Sequence, residues 1–128
     1  MTTEGKQTVA IVGASSNREK FGNKSLRAHA QQGFDVYPVN PKGGEIEGLK
    51  VYTALADIPV ELDFVSLYLP PSIGFAMIEE IAAKGCGEVW LNPGSESREF
   101  VNRAAELGLK VVQSCSIVAI GCSPGDFV

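Results

Sequence analysis

The stretch that decides the fold is TVAIVGASSNREKFG, residues 8–22. It begins with a short apolar run, reaches Gly13 and continues through a polar segment to Gly22. α/β proteins hold phosphate groups where an apolar strand ends at a glycine and opens into a helix. Glycine permits the tight turn there, and the start of the helix offers unpaired N–H groups to an anion. The stretch therefore predicts a buried strand, an anion-binding loop and a helix.

Length and composition are typical of one globular domain. The chain has 128 residues with ordinary hydrophobic and charged contents of 45% and 20%, so we expect a single domain over 1–128 with a flexible lead-in at 1–6. A net charge of -4 disfavours a nucleic-acid partner, and the apolar runs are too short for a membrane span. Three cysteines without C-x-x-C spacing, and the lack of a signal-peptide pattern, favour reduced thiols in a cytoplasmic protein.

Strand and helix patterns alternate along the chain. Strands are predicted at 7–13, 34–39, 63–69, 88–91 and 109–113, and helices at 22–32, 53–58, 73–84 and 96–107. The expected N-caps are Thr53, Ser72 and Ser95, while Cys86 is expected in a turn and the residues after 113 in a tail. The alternation predicts a Rossmann-like three-layer α/β sandwich with a five-stranded parallel sheet, for which we expect the strand order 3-2-1-4-5.

Four turn-rich loops follow the first four predicted strands. Because ligands bind outside the carboxyl ends of parallel strands, these loops are expected to line one extended groove for a long ligand. The loops contain Gly13, Ala14 and Ser15; Asn40, Pro41 and Lys42; Leu69, Pro70 and Pro71; and Asn92, Pro93 and Gly94.

The first loop differs from the common nucleotide motifs. It is neither G-x-G-x-x-G nor a P-loop, and the second strand is not followed by the acidic residue that would bind the ribose of NAD. Lys42 follows that strand instead and suits a phosphate on a ribose, although a solvated loop lysine is an equally good interpretation. The same two interpretations remain for Arg18 and Lys20 at the start of the first helix.

Catalytic residue types are sparse near the predicted groove. The single histidine, His29, is expected on the first helix as a partly exposed residue away from the strand ends, and Trp90 is expected in the core. Cys115 follows the fifth strand and is either a small buried residue or a thiol that faces the site. Two alternatives therefore stay open beside simple ligand binding: an NADP(H)-binding redox sensor that uses Lys42, and an enzyme that uses the Cys115 thiol.

The four loops, in this order and spacing, resemble a known family. The sequence is similar to the stand-alone CoA-binding proteins of bacteria and archaea, and through them to the amino-terminal CoA-binding domain of the succinyl-CoA synthetase alpha subunit. The likeness covers about residues 7–118 and rests on the motifs VGAS, YPVNPK, LPP and VWLNPG. It implies a Rossmann-like domain whose ligand is coenzyme A or an acyl-CoA. With that ligand, a CoA-thiol or CoA-disulfide enzyme that uses Cys115 stays open as an alternative.

The resemblance also implies a role for each loop. Gly13, Ala14 and Ser15 would contact the pyrophosphate, with Lys20 as the loop cation before Gly22. Asn40, Pro41 and Lys42 would surround the adenosine and its 3′-phosphate; Leu69, Pro70 and Pro71 would follow the adenine or pantetheine arm; Asn92, Pro93 and Gly94 would lie near the thiol. The phosphohistidine and second ligase domain of the synthetase have no counterpart here, so the resemblance implies binding as a carrier, sensor or regulatory protein without ligase activity.

Overall fold

Five parallel strands form the central sheet of the computed structural model, which describes residues 6–127. Most of the expected lead-in at 1–6 lies outside the described residues. All five residues of the first strand are buried, as its uninterrupted apolar sequence predicts for a strand covered on both faces. The sheet strands are β1 (Thr8–Val12), β2 (Asp35–Val39), β5 (Leu62–Leu67), β6 (Cys86–Leu91) and β7 (Val111–Gln113), and a separate hairpin consists of β3 (Glu45–Ile46) and β4 (Leu49–Lys50).

Helices cover both faces of the sheet. On one face, Leu26 packs in a cluster with Val9 and Ile11 of β1. On the other face, Ile81 and Phe100 pack in the larger cluster that contains Ala10 and Val65. The predicted three-layer Rossmann-like fold is therefore confirmed. The helices are α1 (Phe21–Gln31), α2 (Pro71–Ala76), α3 (Ile78–Lys84), α4 (Arg98–Glu106) and α5 (Ser116–Ala119), with 3-10 turns at Leu55–Asp57 and Pro124–Asp126.

The expected strand order is wrong. The observed order is β2-β1-β5-β6-β7, so the third long strand pairs with β1 and leaves β2 at the edge. Pro38 explains why β2 takes this place. Its carbonyl oxygen accepts from the amide of Tyr52 at 2.9 Å and therefore points away from β1. Because the backbone N and O of a strand residue point to the same side, the N–H that proline lacks would also have pointed away from β1. The strand order therefore reverses between β1 and β5, and ligands bind at such a switch point.

The predicted helix caps also need correction. The short turn after Thr53 begins at Ala54 without a side-chain cap. Helix α2 follows Pro70 instead of Ser72, because Pro71 suits the first helical position. In α4 the cap is Ser97, whose hydroxyl oxygen accepts from the amide of Phe100 at 3.0 Å.

Three further differences concern segments between the elements. The predicted helix over 73–84 is two helices, α2 and α3, that meet at Met77. Cys86 begins β6 instead of lying in a turn, and the tail after residue 113 contains α5 and a 3-10 turn. Among residues 6–127, no helix is long and apolar enough to cross a membrane.

Candidate functional site

A cleft of about 740 Å³ opens at the carboxyl edge of the sheet. It lies over the ends of β1 and β5, where the strand order reverses. All four loops singled out in the sequence contribute to it, and Asn92 alone of the predicted site residues does not. The predicted residues that line the cleft are Gly13, Ala14, Ser15, Lys20, Gly22, Asn40, Pro41, Lys42, Leu69, Pro70, Pro71, Pro93 and Gly94.

Asn92 has a structural position instead. Its side chain is buried, and its amide nitrogen donates to Ser66 Oγ at 2.8 Å and to the Leu67 carbonyl at 2.9 Å. Its amide oxygen accepts from the backbone N–H of Ser116 at 2.9 Å. With both ends of the amide engaged, Asn92 ties β5, β6 and the start of α5 together beneath the cleft.

The β1–α1 loop is held against the end of β2 by backbone hydrogen bonds. The amides of Gly13 and Ala14 donate to the Val39 carbonyl at 3.1 and 3.3 Å. The Asn40 side chain donates to the Ala14 carbonyl at 3.1 Å, and its oxygen accepts from the amide of Lys42 at 2.7 Å. The first two loop amides are therefore already paired, and an anion in the cleft must use groups further along the loop.

The start of α1 supplies backbone N–H groups that could bind an anion. This helix has no side-chain N-cap. Within residues 6–127, four residues that line the cleft here have a backbone N–H group without a protein acceptor: Ser15, Ser16, Phe21 and Gly22. Unpaired N–H groups at a helix start carry the positive end of the helix dipole. This part of the cleft therefore favours the binding of a negatively charged group.

Two lysines add positive charge to the same cleft. Lys20 and Lys42 are exposed, both line the cleft, and neither has a carboxylate partner within 4.0 Å in the described part of the chain. Arg18 differs, since its guanidinium pairs with Glu47 at 3.2 Å and does not line the cleft. Of the three cations considered in the sequence, Lys20 and Lys42 remain available to a ligand.

A buried amide and the β3–β4 hairpin brace the loop from behind. The Asn23 side chain donates to the Ser15 carbonyl at 2.8 Å and to Glu47 at 3.3 Å, and it accepts from Arg27 at 2.7 Å. Arg27 in turn donates to the Arg18 carbonyl at 3.0 Å. These contacts fix both ends of the segment that carries the free Ser15 and Ser16 amides, so the anion site is preorganised.

Comparison with known proteins agrees with this geometry. The family model described as a CoA binding domain matches residues 7–121. The chain belongs to the CoA-binding domain family.

Relatives of this CoA-binding domain include much longer proteins. It is 38% identical over 85 residues to a trans-feruloyl-CoA synthase from an unknown prokaryotic organism, covering 65% of this chain and 12% of that protein. It is 29% identical over 122 residues to the alpha subunit of an ADP-forming acetate–CoA ligase I from Pyrococcus furiosus, covering 83% of this chain and 26% of that protein. The chain therefore spans about a quarter or less of the length of these relatives.

A solved structure of comparable size is also similar to the CoA-binding domain. It is that of a hypothetical protein from Pyrococcus horikoshii OT3, with a TM-score of 0.84 and 34% sequence identity. The match covers 89% of this chain and 81% of that one. The fold of this chain therefore also occurs in a solved protein of similar length.

Four residues that line the cleft of the CoA-binding domain are not predicted from the sequence. They are Ser16, Phe21, Tyr68 and Ser95. Phe21 is 56% exposed at the rim, which an amphipathic helix pattern does not predict. Ser95 was expected to cap a helix, but its hydroxyl donates to the Leu69 carbonyl at 2.7 Å and fixes the third loop. Tyr68 directly follows β5 beside Leu69, and burial raises the pKa of its phenol.

His29 lies outside the cleft of the CoA-binding domain. The expectation that it is partly exposed is wrong, since only 2% of it is accessible. Its Nδ1 lies 2.8 Å from the Ser25 carbonyl, and burial lowers the pKa of the imidazole. Ser25, one turn earlier on α1, thus pairs with Nδ1, and the imidazole packs edge-on against the Phe34 ring.

Cys115 and Trp90 also differ from the simplest expectations. Cys115 precedes α5 and packs against the small cluster of Ala28, Ile117 and Phe127, and it is not among the cleft-lining residues. Trp90 is half-buried, not fully in the core, and its indole N–H donates to Glu88 at 3.1 Å. Neither residue therefore contributes a reactive group to the cleft.

Proposed function

We propose that this domain binds coenzyme A, or an acyl-CoA, in the cleft and acts as a non-catalytic carrier, sensor or regulatory protein. The observation that carries the proposal is the uncapped start of α1 in the same cleft as Lys20 and Lys42, two lysines without a carboxylate partner among residues 6–127. A ligand with several phosphate groups is the natural partner of such a site, because it satisfies the open N–H groups and both cations together.

The proposed orientation follows the positions of the free groups. The diphosphate lies against the Ser15 and Ser16 amides and the start of α1, with Lys20 as its cation. Lys42 holds the 3′-phosphate, and Asn40 shapes the loop around the adenosine.

The remaining loops suit the neutral part of the ligand. Leu69, Pro70 and Pro71 present apolar surface along the pantetheine arm, while Pro93 and Gly94 lie toward the thiol. Apart from the two lysines, the lining of the cleft is mostly apolar, which suits a ligand that has an uncharged arm beside its phosphates.

A binding role without chemistry is supported by the residue types in the cleft. Within the described residues, its lining contains neither a carboxylate nor an imidazole nor a thiol. General acid–base and nucleophilic mechanisms most often use such groups. The names of the relatives identify them as CoA ligases and synthases. Because the chain spans only a small part of those proteins, we propose that it has the binding step in common with them and not the ligation.

The interactions available are sufficient for useful affinity. A helix start contributes roughly 0.3–2 kcal/mol toward an anion, and each charge-assisted hydrogen bond adds roughly 1.5–3 kcal/mol. After the cost of association, a few such contacts are compatible with micromolar binding, about -8 kcal/mol.

The assignment of Lys42 can be tested with two forms of the ligand. We expect Lys42→Ala to weaken CoA binding about tenfold or more, because a charge-assisted contact to the 3′-phosphate is lost. Dephospho-CoA lacks that phosphate, so its affinity should hardly change. Calorimetric titration of both ligands into the wild type and the variant measures the difference.

Lys50→Ala is the matched control for the lost charge. Lys50 is an exposed lysine that lies over the Tyr52 ring and outside the cleft. The control should leave both affinities unchanged. Equal losses of CoA and dephospho-CoA in the Lys42 variant would contradict the proposed orientation.

A further inference from the structure

Arg27 joins the anion-binding loop to a segment far along the chain. Its Nε donates to Asn23 Oδ1 at 2.7 Å, and its Nη2 donates to the Arg18 carbonyl at 3.0 Å. The same Nη2 donates to the Phe127 carbonyl at 2.9 Å, and the guanidinium carbon lies 5.7 Å from the centroid of the Phe127 ring. A guanidinium presents its N–H groups in a fixed planar fork, so these contacts hold one another in place. One side chain therefore links the loop to residue 127.

On the loop side, Arg27 sets the direction of a backbone amide at the cleft. Because the guanidinium donates to Asn23 Oδ1, the nitrogen of the Asn23 amide is the end that reaches the Ser15 carbonyl, at 2.8 Å. The C=O of Ser15 and the N–H of Ser16 belong to one planar peptide group, in which they point in opposite directions. The Ser16 N–H therefore points away from Asn23, and Ser16 lines the cleft.

On the other side, the 123–127 segment is attached to the fold as a small separate unit. Its 3-10 turn, Pro124–Asp126, is closed by hydrogen bonds within the segment. Phe127 is buried in a cluster with Ala28 and Ile117, which is separate from the two larger clusters that cover the sheet. A unit with few buried apolar contacts opens at a lower free-energy cost than the core of a domain. The segment can therefore detach while the sheet stays folded.

We propose that Arg27 couples the docking of the 123–127 segment to ligand binding, so that CoA binds more tightly while the segment is docked. This regulation presupposes the CoA site proposed above. The docked Phe127 carbonyl fixes Nη2, and the guanidinium then holds the Asn23 amide and the Ser16 N–H in the direction of the diphosphate. Detachment of the segment leaves the guanidinium with one acceptor fewer and free to turn. Because coupling between two sites is reciprocal, bound CoA also favours the docked segment.

Nuclear magnetic resonance of the ligand-free full chain tests the link between the segment and the loop. Phe127→Ala removes the ring that anchors the segment, and we expect the backbone order parameter of Ser16 to fall by about 0.1 or more. Leu109→Ala is the matched control for lost apolar packing, because Leu109 packs against the larger cluster on the other face and makes no contact with Arg27. It should leave Ser16 as rigid as in the wild type.

Calorimetric titration of CoA measures the regulatory effect. We expect Phe127→Ala to weaken CoA binding about fivefold and Arg27→Lys to weaken it about tenfold, while Leu109→Ala binds like the wild type. Lysine keeps the positive charge of Arg27 but lacks the planar fork. A loss in Arg27→Lys that persists at high salt therefore identifies a positioning role, since an effect of charge alone would be screened.

The two measurements separate this coupling from the CoA assignment. Absence of CoA binding to the wild type would contradict the CoA assignment and the regulation together, whereas a response of Ser16 to Phe127→Ala would still support the structural link. An unchanged Ser16 order parameter in Phe127→Ala, or wild-type CoA affinity in both Phe127→Ala and Arg27→Lys, would overturn the proposal. Should Arg27→Lys fail to fold, Phe127→Ala alone decides by the same two measurements.

Discussion

Replacing Gly13 with alanine is expected to lower the free energy of unfolding by about 3 kcal/mol and to abolish CoA binding. Gly13 has a φ of +91°, and a Cβ atom added there would overlap the backbone carbonyl oxygen of Tyr68. Relief would require β1 and β5 to move apart at the switch point, which would shift the loop that carries the Ser15 and Ser16 amides. Chemical denaturation measures the first effect and a CoA titration the second.

Gly33→Ala is the matched control for backbone conformation. Gly33 has a similar φ of +88° at the end of α1, but a Cβ there would meet no atom within 4 Å. It should cost only about 1 kcal/mol, the penalty for alanine at positive φ, and leave CoA binding intact. If the two variants lose similar stability and both still bind CoA, the close approach of Gly13 to Tyr68 is not what shapes the site.

Lys20→Ala is expected to weaken CoA binding roughly 10–100-fold while leaving the fold unchanged. In the proposed orientation Lys20 makes a charge-assisted contact with the diphosphate, a type of contact that contributes roughly 1.5–3 kcal/mol. Its side chain is exposed and has no carboxylate partner among residues 6–127, so its removal should not destabilise the protein. Since CoA and dephospho-CoA have the diphosphate in common, both should lose affinity, unlike in the Lys42 variant.

Lys110→Ala controls for the change in net charge. Lys110 is an exposed lysine that pairs with Glu88 at 3.0 Å. It directly precedes β7, the edge strand on the side of the sheet away from β2. A general electrostatic effect would weaken CoA in this variant as well, and would disappear at moderate salt. Retained affinity in Lys20→Ala, or an equal loss in Lys110→Ala, would show that Lys20 does not contact the diphosphate.

The composition of the cleft could be predicted from local sequence. Each of the four loops follows an apolar strand, and the carboxyl ends of parallel strands lie at one edge whatever their order. Gly13, Asn40, Leu69 and Pro93 therefore lie together even though the expected strand order was wrong. The order itself depends on which strands tolerate an edge. Pro38 indicates that β2 lies at an edge of the sheet, because a proline within a strand favours an edge position.

The side-chain hydrogen bonds around the cleft and the burial of single residues depend on tertiary structure, which a local sequence pattern does not show. By residue type, Ser95 and Ser97 are equally good N-caps. Ser97 caps α4, and the Ser95 hydroxyl instead donates to the Leu69 carbonyl. Asn92 shared a loop with Pro93, yet its side chain turned inward toward Ser66. The sequence predicts a partly exposed His29, because a local helix pattern does not show that the fold buries this face of α1.

The most direct test of the proposed CoA site is a calorimetric titration of CoA into the wild-type protein, with NADPH titrated separately as the rival ligand. We expect one CoA site per chain with a dissociation constant of about 1 μM. We expect much weaker binding of NADPH, whose nicotinamide half has no matched loop. No saturable heat with CoA, or tighter binding of NADPH than of CoA, would contradict the assignment of the cleft.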